Sequence, residues 1–211
     1  MQIIIPIGDH CAAAICLREL GLRSAAFPFD WIVTAHANKL EHSNFSWIAH
    51  TILQLLHSPH TIPAFVAKLF AVPEFQPQTK INTAHALWFP HDNFDSEVAF
   101  SETVAKYVRR MTRLIQTLRA RHPVTLLLVT RHHGVESDVV LRLLDTITAL
   151  NPNSRLIWIS GCVTPVIHHS ALHVHVVPMP IDDTKDEHAL NVTRRVQIKE
   201  CLDVIFKGLT F

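Results

Sequence analysis

The sequence predicts an α/β domain of three layers, a mostly parallel sheet with helices on both faces, and three observations carry this. Ile3-Ile4-Ile5-Pro6-Ile7, Val124-Thr125-Leu126-Leu127-Leu128-Val129 and Leu156-Ile157-Trp158-Ile159 are nearly unbroken apolar runs, as strands covered on both faces must be. Helical patterns separate these runs, and parallel strands need such crossovers. Glycine is scarce at five residues, yet Gly8, Gly134 and Gly161 each closely follow a run. In an open parallel sheet the ligand crevice lies there, outside the carboxyl ends of the strands.

Taken in order, the first run ends at Gly8-Asp9-His10-Cys11 and opens a helix through Leu20, which Gly21 can cap. Phe27-Pro28-Phe29-Asp30-Trp31 reads as a loop or edge segment, because Pro28 excludes a central strand. Residues 33 to 72 are helical in pattern, broken at Ser58-Pro59 and Ile62-Pro63 and ended by Pro73 and Pro77. This gives a small helical insertion over about residues 33–80 in a single domain of residues 1–211. Ala84 to Pro90 reads as a strand running into His91-Asp92.

A long helix, roughly Ser96 to Arg121, follows, with Val104, Tyr107, Val108, Met111, Leu114, Ile115 and Leu118 on its apolar face. The second half then alternates. After the strand at 124–129 come a helix at 136–150, the strand at 156–159, a fourth strand at His173-Val174-His175-Val176-Val177 and a closing helix at 192–208. The chain holds no internal repeat and no low-complexity segment.

Lysine and arginine total 19 against 18 acidic residues, so bulk charge points to neither nucleic acid nor a membrane surface. The N-terminal apolar run is too short for a signal peptide or a membrane span, and we expect a cytoplasmic protein. Its four cysteines follow no zinc-finger spacing. Cys16 and Cys201, on apolar helix faces, read as core thiols.

Cys11 stands where a buried strand gives way to a helix. Unpaired N–H groups and the positive helix end converge there and bias a thiol toward thiolate. It is a candidate nucleophile, against the alternative of a small buried cysteine at a tight junction. Asp9 opposes activation unless it turns away to cap the helix. Asp9 and His10 share the rim with Arg131, His132 and His133, which directly follow a buried strand and are candidate anion ligands.

Asp30 either enters this site or caps a helix starting near Trp31. Asp92 either orients His91 or caps the long helix, since adjacent residues on an extended backbone point apart. Lys106, Arg109, Arg110 and Arg113 form a basic stripe that is either an anion clamp or a solvated face. Sixteen histidines raise the question of a metal, with His173 and His175 on one strand face, but no metal motif is present and no metal or cofactor is expected. There is no Walker loop and no GxGxxG motif.

Four blocks carry a family resemblance: Pro6-Ile7-Gly8-Asp9-His10-Cys11, Leu17-Arg18-Glu19-Leu20-Gly21-Leu22-Arg23, Phe27-Pro28-Phe29-Asp30-Trp31-Ile32 and Phe89-Pro90-His91-Asp92. Over about residues 3 to 160 the chain resembles a family of papain-like cysteine peptidases of bacteria and large DNA viruses. The resemblance implies Cys11 as nucleophile and His91 as base, with Asp92 or Asp30 as the orienting group. We therefore expect a cysteine-dependent hydrolase or acyl transferase acting on a small-molecule, peptide or glycan substrate. The rival reading is a transferase, or an anion-binding module, holding a phosphorylated or nucleotide-sugar ligand in the same crevice.

Overall fold

The structure, a computed structural model, describes residues 2–8, 11–34, 45–71, 73–130, 135–161, 167–177 and 187–207. The chain runs β1 (Ile3–Pro6), α1 (Ala12–Glu19), a 3-10 turn (Pro28–Trp31), β2 (Val33–Thr34), α2 (Phe45–His57), a second 3-10 turn (Pro59–Thr61) and α3 (Ile62–Leu69). It continues through β3 (Phe75–Gln76), β4 (Ile81–Asn82), β5 (Leu87–Trp88), α4 (Glu97–Arg119) and β6 (Val124–Thr130). The last elements are α5 (Ser137–Leu150), β7 (Ser154–Ser160), β8 (Leu172–Val176) and α6 (Glu187–Lys207).

The main sheet has the order β1-β6-β7-β8 and every pairing in it is parallel. All seven residues of β6 are buried, which is why its sequence shows no apolar-polar alternation. Its side chains divide by parity. Leu126 and Leu128 join the core formed with α2, α3, α4 and α5. Leu127 and Val129 join the core formed with α1 and α6, through Ala13, Cys16, Leu17, Ile198 and Leu202. Helices thus cover both faces of the sheet, as expected from the sequence.

The region from 33 to 88 differs in part from its helical reading. It contains α2 and α3, but also a second, antiparallel sheet of two-residue strands in the order β2-β5-β4-β3. The strand expected over Ala84–Pro90 shrinks to Leu87–Trp88 and belongs to this small sheet, because residues 83–86 form a turn with Ala86 at φ 49°. An aromatic cluster of Phe70, Phe75, Phe89, Phe94 and Phe100 packs this sheet onto α4.

Candidate functional site

Strands β1 and β6, the first two of the main sheet, lie side by side, and the helices that follow them leave on opposite faces: α1 joins one core and α5 the other. The carboxyl edge of an open parallel sheet, beside strands whose helices part in this way, is where such folds hold a ligand. Gly8 sits at that edge. A Cβ there would lie 2.6 Å from the Val129 carbonyl oxygen and 3.0 Å from its nitrogen, so the close approach of the two backbones admits no side chain.

Cys11 directly precedes α1, with φ −67° and ψ −9°, and its carbonyl accepts the Ile15 N–H at 3.0 Å. It is 8% exposed. The helix is closed at its other end by a complete Schellman motif: Gly21, at φ 69°, donates to Arg18 O at 3.1 Å and Leu22 donates to Leu17 O at 2.9 Å. Cys16 is fully buried and burial pushes its thiol up to about 11, with Glu19 adding to the rise. Burial also raises the Cys201 thiol. Cys16 is a core residue, as its sequence setting implies, whereas Cys201 is only partly buried and packs against the edge of the same core.

His91 is exposed, and its ring meets Trp31 edge-on at 5.0 Å between centroids. The Asp30 and Asp92 carboxylates bond to other partners, not to His91. Asp92 turns the other way. It is buried, accepts the Tyr107 hydroxyl at 2.8 Å and pairs with Lys106, while Lys80 Nζ donates to its carbonyl at 2.8 Å. It does not cap α4: Ser96 does, accepting the Ala99 N–H at 3.1 Å.

Asp30 is also buried. Its carboxylate accepts the Phe27 N–H at 2.9 Å and pairs with Arg23. It therefore closes the 3-10 turn from inside, at Pro28–Trp31, instead of capping a helix that begins at Trp31. Burial raises its pKa; the Phe27 bond and Arg23 oppose the rise.

The basic stripe of α4 is largely committed to the fold. Lys106 pairs with Asp92, Arg113 donates to Ala26 O at 2.7 Å, and Arg110 lies over the Tyr107 ring at 5.8 Å. Asp9, His10, Arg131, His132 and His133 lie outside the described residues. Among the described residues no three His, Cys, Asp or Glu side chains gather as a metal site, and no helix is long and apolar enough to cross a membrane.

Sequence reasoning missed Trp31, whose ring is met by the guanidinium groups of Arg18 and Arg23 and by the ring of His91. The signal was present: these residues fall in three of the quoted blocks, but their spacing along the chain gives no hint of contact. Also missed were the buried hydroxyls at the sheet's carboxyl edge. Thr130 accepts the Trp158 Nε1–H at 2.9 Å and faces Ser160 at 3.5 Å.

Fold and site thus define a three-layer α/β protein with a cysteine directly before the helix that follows its first parallel strand. The chain belongs to the family described as "Putative papain-like cysteine peptidase (DUF1796)", whose model matches residues 2–157. No curated protein and no solved structure matches it.

Proposed function

We propose that the protein is a cysteine-dependent hydrolase or acyl transferase, with Cys11 as nucleophile and His91 as general base, acting as a single domain. The observation that carries this is the seat of Cys11, immediately before α1 at the edge where the helices after β1 and β6 diverge. A helix N-terminus favours thiolate over thiol, and its N–H groups are donors for the oxyanion of an attacked carbonyl.

In this reading His91 takes the Cys11 proton, the sulfur attacks the acyl carbon, and the imidazolium returns the proton to the leaving group. Water or a second acceptor then releases the acyl group from the thioester. His91 is exposed, with its ring against Trp31, and catalytic hydrogen bonds often tighten only when substrate binds. Asp92 and Asp30 are committed to Tyr107, Lys106, Phe27 and Arg23, so their part is to fix the segments that carry His91 and Trp31. A cytoplasmic setting, which keeps thiols reduced, suits this chemistry.

The transferase reading draws less support, since Lys106 and Arg113 of its proposed clamp are engaged internally. The test is acylation by p-nitrophenyl acetate, followed by intact mass and by mapping of the modified peptide. Acetyl on Cys11, absent from Cys11→Ala and slowed in His91→Ala, is the expected result. Acylation unchanged in Cys11→Ala would overturn the proposal.

A further inference from the structure

We propose that Arg18, with Trp31 and Arg23, forms a recognition subsite for an anionic group on the substrate, a carboxylate or a phosphate. The Arg18 guanidinium lies over the Trp31 ring at 5.9 Å and that of Arg23 at 5.3 Å, with His91 on the same ring. Two cations repel, and holding both on one indole requires a compensating charge.

Asp30 supplies part of it. It pairs with Arg23, and Arg110 acts on the same carboxylate. Arg113 adds a further cation at Ala26. Arg18 makes no ion pair and no side-chain hydrogen bond among the described residues, and it is exposed. In the same cluster the buried atoms Arg23 Nε, Arg110 Nη1 and Asp30 Oδ1 have no hydrogen-bond partner among the described residues. Four arginines, Arg18, Arg23, Arg110 and Arg113, thus stand against the single carboxylate of Asp30 around the Trp31 ring, an excess of positive charge with donors still unspent.

This is a chemistry that selects anions. A guanidinium resting on an indole loses little further freedom on binding, while its in-plane N–H groups stay available to a carboxylate or phosphate as a forked pair. The solvated-face alternative accounts for Arg109, which is exposed, but not for two arginines gathered on Trp31 from α1 and from the loop after it.

The position also sets a register, and this part rests on the Cys11 reading. Arg18 follows Cys11 by seven positions on one helix face, a rise of about 10 Å. A helical side chain leans toward the start of its helix, so the rise is an upper bound and the anionic group stands within about three residues of the attacked carbonyl in an extended peptide.

The test is an NMR titration of the Trp31 indole N–H with three probes: the N-acetyl amides of glutamate, glutamine and O-phosphoserine. Saturable shifts with the glutamate or phosphoserine probe, weakened by added salt and at least about tenfold weaker in Arg18→Ala, support the site. The tighter of the two names the anion. Arg18→Lys should retain part of the affinity, and Arg109→Ala should titrate as the unmodified protein does. Equal shifts with the glutamine probe, no shift with any probe, or an unchanged titration in Arg18→Ala would overturn it. Cys11→Ala should bind as the unmodified protein does, so failure of the cysteine mechanism and failure of this subsite are read separately.

Discussion

Asp92 and Tyr107 are joined by a 2.8 Å hydrogen bond inside the protein, from the hydroxyl of a fully buried tyrosine on α4 to a carboxylate that directly follows His91. The bond ties the His91 segment to the longest helix. Burial and the Asp92 charge together hold the Tyr107 hydroxyl well above its ordinary pKa, so it stays a donor.

Tyr107→Phe removes that donor and leaves a buried carboxylate oxygen one partner short. The expected loss is about 1–3 kcal/mol of stability, measured by urea unfolding, together with a changed environment for the His91 ring in NMR spectra. Unchanged stability would mean that the carboxylate finds another donor.

Two glycines near α1 should respond differently to alanine. Gly8→Ala forces a Cβ against the Val129 backbone and should cost about 2–3 kcal/mol. Gly21→Ala meets no atom within 4 Å but keeps a φ of 69°, and should cost about 1–2 kcal/mol. Urea unfolding of both variants checks the order; a Gly8→Ala protein as stable as the unmodified one would contradict the close approach of β1 and β6.

Cys16 gives a pH dependence of defined sign. Its thiol titrates near 9.0 when unfolded and about 11 when folded. The contribution is fully present below about pH 9 and is lost as pH rises toward 11, because the unfolded chain releases its proton first. Cys16→Ala should flatten the fall in unfolding free energy over that window. An equal fall in both proteins would assign it to other groups.

The sheet was legible because β1, β6 and β7 are buried on both faces and therefore uniformly apolar. The small antiparallel sheet was not, since two-residue strands carry no periodicity. The place of Cys11, between β1 and α1, was legible from the strand-to-helix junction alone. The roles of Asp30, Asp92, Lys106 and Arg113 were not, because each is decided by a partner brought in by the fold: Arg23, Tyr107, the Asp92 carboxylate and the Ala26 carbonyl. A buried ion pair and a solvated charge read alike in one sequence.

The central claim, that the seat of Cys11 makes it a nucleophile, is tested most directly by the rate of iodoacetamide labelling at each cysteine across pH. Cys11 should label faster than Cys16 and Cys201, whose thiols burial raises, with a midpoint below the ordinary thiol value of about 8.5. Labelling of Cys11 that is slower than that of Cys201, or that rises only above about pH 8.5, would contradict the account and leave Cys11 a packing residue at the junction of β1 and α1.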